Sequence, residues 1–291
     1  MTRQEFLALT QTGTVLLDGA TGSNLMKAGM PRGVCAEEWI LAHPDRLLAL
    51  QSAYAAAGSR IIYAPTFGAN RCNLTRYDLQ EHTRAWNRAL VSLSRRVEGV
   101  SVAGDVTTTG IALEPNGSMT YGELHEVYSE QISALVEAGV DLIVIETMLG
   151  VNETVVALEA ARALCELPVL CSVTVQSDGS CYFDGDCIEA VETLQALGAD
   201  AVGINCSCGP EQLVSLVRNM KKVAAVPLLV KPNAGLPTIS ETGEAVYPMT
   251  PTDFARYMRR LVQEGASLVG GCCGTTPAFI AALREALSSE S

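Results

Sequence analysis

The chain has 291 residues, with 20 Lys and Arg against 32 Asp and Glu, a formal net charge of −12 and ten cysteines. That balance argues against a nucleic-acid ligand, whose phosphates demand clustered Lys and Arg; Arg95-Arg96, Lys221-Lys222 and Arg259-Arg260 are isolated pairs on helical patterns. No basic segment followed by an apolar run opens the chain, and no stretch offers the ~18 uninterrupted apolar residues of a spanning helix, so the expectation is a cytoplasmic protein without a membrane partner whose cysteines are reduced, metal-bound or catalytic.

Apolar runs of strand length recur along the chain at 14–20, 60–65, 100–106, 142–147, 168–175, 201–207, 227–233 and 268–273. Each is rich in Val, Ile or Leu without clean polar alternation, the pattern of parallel strands buried on both faces. Between them lie segments with apolar residues at three- and four-residue spacing: 45–57, 81–97, 121–138, 152–164, 186–197, 210–223, 251–263 and 277–287. Prolines at 44, 210 and 251 sit at helix starts, and Gly58, Gly139, Gly198 and Gly265 sit just past helix ends. Eight strand–helix units predict an α/β fold, a single (β/α)8 TIM barrel occupying 1–291 as one domain.

That fold gathers its chemistry at the C-terminal strand ends, which here read Asp18-Gly19-Ala20, Thr66-Phe67-Gly68, Asp105, Glu146-Thr147, Gln176, Asn205-Cys206, Lys231-Pro232-Asn233 and Cys272-Cys273. The loops 107–120 and 234–249 are the longest and suit lids or substrate clamps. In Gly270-Gly271-Cys272-Cys273-Gly274-Thr275-Thr276-Pro277, glycines leave two thiols bare, as close approach of the backbone to an ion or ligand requires. Zinc takes three or four protein ligands and prefers thiolates, so the vicinal pair needs another soft donor, for which Cys206 at the end of the sixth run is the best candidate. The competing reading is that cysteine is simply a small buried hydrophobe.

Asp18 and Glu146 suit an ammonium group, and the backbone amides of 18–23 suit a carboxylate, together an amino acid's main-chain atoms. The competing reading has Asp18 capping a turn and Glu146 pairing with a Lys or Arg inside the barrel. His43, His82 and His125 fall on or beside helices, which argues against Cys–His nucleophilic catalysis. Cys208 reads as a bystander, Cys35, Cys72, Cys165, Cys171, Cys181 and Cys187 as packing residues, and Asp184-Gly185-Asp186 as a surface turn rather than a calcium loop.

Asp18-Gly19-Ala20, Pro65-Thr66-Phe67-Gly68-Ala69-Asn70, Glu146-Thr147, Gly203-Ile204-Asn205-Cys206, Pro232-Asn233-Ala234-Gly235 and the segment 270–277 together resemble the homocysteine S-methyltransferase family, in particular the homocysteine-binding barrel of cobalamin-dependent methionine synthase. The resemblance implies that Cys206, Cys272 and Cys273 bind Zn2+ and that the thiol of homocysteine becomes the fourth ligand, to be methylated to methionine. It further implies that Asp18, Gly19, Ala20 and Glu146 hold the amino-acid moiety and that Asn233 can occupy the open metal position before substrate arrives. No folate, corrinoid or reactivation domain is recognised in the chain, so the donor is expected from outside it, and the runs 232–237 and 274–277, which resemble the methionine synthase barrel more than the sulfonium-using branch, imply a methylcorrinoid, free or supplied by a partner protein. The alternatives are S-methylmethionine or S-adenosylmethionine as donor, or a non-catalytic zinc or amino-acid binding module. Two departures from the family pattern stand out: Gly104-Asp105-Val106-Thr107-Thr108-Thr109-Gly110 lacks the usual Gly-Pro, and Thr147 replaces the aromatic residue of betaine-using relatives, which argues against a quaternary ammonium donor.

Overall fold

The computed structural model describes residues 1–240 and 245–288. Among these, eight parallel strands form one sheet: β1 (Val15–Leu16), β2 (Ile61–Tyr63), β3 (Ser101–Thr107), β4 (Leu142–Met148), β5 (Val169–Val173), β6 (Ala201–Asn205), β7 (Leu228–Lys231) and β8 (Ala266–Val269). From β2 to β8 each strand pairs with the next, and β8 pairs with β1. A parallel bridge from Leu17 to Ile61 and the Arg60 N–H to Leu16 carbonyl bond join β1 to β2, so the ring closes. This is the expected (β/α)8 barrel. All eight expected helices are present, the one at 210–223 with its first turn as a 3-10 helix, Pro210–Gln212, before Val214–Val223.

The reason for a barrel rather than an open sheet lies in the two apolar sets the strands carry. One set, including Val15, Leu17, Ile61, Ala103, Leu142, Val144, Leu170, Ala201, Leu229 and Leu268, packs inside the ring with Phe6 as its floor. The larger set faces outward against the helices. Side chains alternate along a strand, so both faces must be apolar for both layers to be buried.

Several short elements fall outside the expected list: the helices Arg3–Gln11, Gly22–Lys27, Ala36–Ala42 and Arg71–Thr75, and an antiparallel ribbon of Thr238–Ile239 with Ala245–Val246. They are too short to establish a helical period, although Thr2 and Glu5 form a capping box that announces the first of them. The loop expected at 234–249 lies partly outside the described residues. The other long loop is tied down where it leaves β3. Glu153, 2% exposed, accepts hydrogen bonds from the Thr108 and Thr109 hydroxyls, the Thr109 N–H and the Tyr128 hydroxyl, at 2.6 to 2.9 Å.

Asp184 and Asp186 prove to be helix caps: Asp184 accepts from the Asn152 N–H, and Asp186 accepts from the N–H groups of Ile188 and Glu189. The three histidines stack on helix-borne aromatics, His43 on Trp39, His82 on Trp86 and His125 on Tyr121. No helix among the described residues is long and apolar enough to cross a membrane.

Candidate metal and substrate site

Continuing the inward alternation of the apolar set by two residues turns the barrel interior polar. Ala103 leads to Asp105, Val144 to Glu146, Leu170 to Ser172, and Leu229 to Lys231, while Ala201 leads through Gly203 to Asn205. The register sets these residues side by side, with Thr107 opposite Glu146 and Asn205 opposite Lys231. The top layer of the barrel therefore carries three carboxyl groups, counting Asp18 just past β1, and one ammonium.

Lys231 is buried, and its Nζ lies 3.0 Å from Asp18 Oδ1, 3.8 Å from Glu146 Oε2 and 3.5 Å from the centre of the Tyr63 ring. The second oxygen of Asp18 accepts the Tyr63 N–H at 2.8 Å. Asp18 is 1% exposed, so its carboxylate is committed to the protein. Burial pushes the Asp18 carboxyl up and Lys231 pulls it back; burial lowers Lys231, and Asp18, Tyr63 and Glu146 more than reverse that. Glu146, 7% exposed, is likewise raised by burial and held back by Lys231. The competing sequence reading, a barrel lysine paired with Glu146, is thus present in the geometry. Lys231 was legible by alternation but carried no expected role.

Asn205 organises the neighbouring strand end. Its Oδ1 accepts from the Thr147 N–H and the Ser172 hydroxyl, both at 2.8 Å, and its Nδ2 donates to Thr147 Oγ1 at 2.7 Å and Glu146 Oε2 at 3.4 Å. Thr147 sits at φ 58°, where a β-branched residue is strained, and this clamp is what holds it.

The cysteines lie just beyond the ladders. β6 stops at Asn205 and β8 at Val269, so Cys206, Cys272 and Cys273 stand on turns rather than on the strand ends expected for them. Cys206 has φ 54°, and its N–H donates to the Lys231 carbonyl; Cys272 N–H donates to Pro232, and Ala234 N–H to the Cys273 carbonyl. These bonds bring turns from three strands together. The three sulfurs lie within 4.8 Å of one another, with Cys206 and Cys273 3.6 Å apart, and they are the only set of three or more His, Cys, Asp or Glu ligand atoms so gathered among the described residues. Tetrahedral zinc with thiolate bonds of about 2.3 Å puts its sulfurs roughly 3.8 Å apart, so the set fits that ion. Hydrogen bonds from Cys206 and Cys272 hold the Cys273 thiol down to about 3, against burial, which raises it. Asn233 donates to the Cys206 carbonyl at 3.3 Å, and its buried Oδ1 has no partner. Cys208 is not among the gathered thiols.

The glycines are also demanded by the protein itself. A Cβ at Gly270 would stand 2.5 Å from the Asp18 carbonyl, and one at Gly274, φ +83°, would stand 2.3 Å from the Tyr247 ring. Neighbouring chain by itself leaves no room for a side chain at either position. At the opposite end of the motif, the Ala20 N–H donates to the Thr275 hydroxyl at 3.1 Å, and Gly19 lies against Tyr54 and Thr275.

A sequence model of the family described as Homocysteine S-methyltransferase matches residues 15–287. The chain is 32% identical to Methionine synthase of Mycobacterium tuberculosis over 94% of its own length, and 31% identical to Methionine synthase of Mycobacterium leprae over 93%. It spans 24% of the length of either relative. The metallated crystal form of the homocysteine methyltransferase MmuM from Escherichia coli superposes with a TM-score of 0.79 at 22% identity, covering 96% of this chain and 98% of that one, a likeness of fold.

Proposed function

The chain belongs to the homocysteine S-methyltransferase family, and from that premise we propose that it is a zinc-dependent enzyme that forms methionine from homocysteine, with residues 1–291 as one homocysteine-binding barrel domain. The observation that carries this reading is the gathering of the Cys206, Cys272 and Cys273 sulfurs within 4.8 Å at the barrel mouth. Those three thiolates would hold Zn2+, and the unpartnered Asn233 Oδ1 would take the open position before substrate arrives. Bound there, zinc supplies a coordination position at which an alkyl thiol, ordinarily only a few per cent ionised at neutral pH, gives up its proton.

The remaining work belongs to the protein's own side chains. Glu146 receives the substrate ammonium, Asp18 supports it through Lys231, and the backbone around Gly19 and Ala20 faces the carboxylate. Holding the amino acid at that end fixes where its sulfur lies, so attack on the donor methyl carbon is in line. The sulfur lone pair forms the new S–C bond, and the electron pair of the breaking bond leaves with the donor. In Glu146→Gln, with zinc retained, homocysteine binding is expected to weaken by roughly 2–5 kcal/mol, the cost of removing one partner of a buried charge pair. Calorimetric titration of the zinc-loaded variant checks this, and an unchanged affinity contradicts the clamp.

The donor we propose is a methylcorrinoid carried on a separate protein or domain. Support comes from the loop resemblance around 232–237 and 274–277 and from the 32% and 31% identity to the two methionine synthases. Methionine formation is expected to be faster with methylcobalamin than with S-methylmethionine or S-adenosylmethionine at equal concentration. Turnover of S-methylmethionine with none from methylcobalamin contradicts the donor and leaves the zinc site intact. Homocysteine binding with no transfer from any of the three favours a binding module.

A further inference from the structure

Asp105 is a carboxyl in the top layer of the barrel that the proposed reaction has not used. It is 5% exposed, and its buried Oδ1 has no hydrogen-bond partner. Buried polar atoms are almost always paired, and an orphan at a barrel mouth marks a place where a ligand atom belongs. Its surroundings say which kind of atom. Asp105 is in register with Val144, and the next inward residue on that strand is Glu146, so the two carboxyl groups face the barrel interior on adjacent strands. Asp18 is the third carboxyl there, and Lys231 is the single cation. Lys231 makes its ion pairs with Asp18 and Glu146, and among the described residues none is made with Asp105. The layer therefore has three carboxyl groups and one ammonium, and a second cation with N–H donors would satisfy the orphaned oxygen and the charge together.

We propose that Asp105 is a second substrate-binding carboxyl, sharing with Glu146 the ammonium of the bound amino acid and so selecting an α-amino thiol over the same thiol without its amine. This rests on the amino-acid clamp proposed above. It gives Asp105 a reason to be in a place where burial and Glu146 push its carboxyl well above the ordinary carboxylate range. A residue kept only for stability has no such reason, since an apolar side chain would fill the same space without leaving an oxygen unpaired.

The test compares two ligands on the zinc-loaded protein: homocysteine, and 4-mercaptobutanoate, which has the same thiol and carboxylate but no amine. Dissociation constants are measured by calorimetry for the native chain, Asp105→Asn, Asp105→Ser and Glu146→Gln, with zinc content and melting temperature recorded for each. The expected result is that Asp105→Asn loses about tenfold or more of the preference for homocysteine, as the loss of a charged hydrogen bond implies, while 4-mercaptobutanoate binding is unchanged. Without ligand, its melting temperature should equal or exceed that of the native chain. Should Asp105→Asn misfold, Asp105→Ser provides the same comparison. If both thiols weaken equally, or if the preference survives in the Asp105 variants while Glu146→Gln abolishes it, the role of Asp105 is overturned and the clamp stands. If Glu146→Gln also leaves the preference untouched, the clamp falls, and this inference with it.

Discussion

Cys272→Ser is expected to leave the purified protein without tightly bound zinc and to reduce methionine formation by on the order of a thousandfold. Two factors set that magnitude. An uncoordinated alkyl thiol with a pKa near 8.5 is only about 3% thiolate at pH 7, a loss of about 30-fold, and a substrate sulfur no longer held in place loses roughly a further hundredfold. Cys206→Ala and Cys273→Ala should behave alike, since the 3.6 Å approach of their sulfurs requires both turns. Cys208→Ala is the contrast. That residue lies two positions from Cys206 but outside the sulfur cluster, so its variant should keep about one zinc per chain and its activity. Metal analysis and methionine assays on the four variants check the set. A Cys208 variant that loses the metal while the Cys206 variant keeps it contradicts the assignment.

Lys231→Met is the second large effect, and it is first an effect on stability. Asp18 is 1% exposed and has the Lys231 ammonium 3.0 Å away, so removing that cation strands a buried charge. Breaking a buried pair from one side costs about 3–5 kcal/mol, which in a chain of this size lowers the melting temperature by roughly 10 °C. Glu146 loses its nearest cation at the same time. Adding Asp18→Leu to Lys231→Met should recover much of the lost stability, because the stranded charge is then gone. Thermal unfolding of the single and double variants measures both, and a single variant as stable as the native chain would show that the pair is not what keeps Asp18 buried.

Much of this architecture could be read from the chain because the barrel writes itself twice, as strand-length apolar runs and as helical spacing between them. Both Gly203-Ile204-Asn205-Cys206 and Gly270-Gly271-Cys272-Cys273 pointed to the thiols, since few other motifs leave vicinal cysteines uncovered. What could not be read was how the carboxylates are spent. Asp18 and Glu146 looked equivalent as acceptors, but only three-dimensional register reveals that Lys231 reaches between them and that the Asp18 carboxylate is fully engaged. Asp105 was visible at its strand end, yet an unpaired oxygen is a property of its surroundings and leaves no mark in the sequence. The same is true of Asn205, whose four hydrogen bonds hold Thr147 in a strained turn. The short helices at 22–27 and 36–42 escaped notice because two turns are too few to define a period.

Three thiolates at the barrel mouth would hold the metal with one position left for the substrate's sulfur. X-ray absorption at the zinc edge, recorded on the loaded protein before and after adding homocysteine, tests it most directly. Three sulfur neighbours at about 2.3 Å with one lighter atom are expected, rising to four sulfurs when homocysteine is present. Four sulfurs before the addition, or three both before and after it, would contradict the claim.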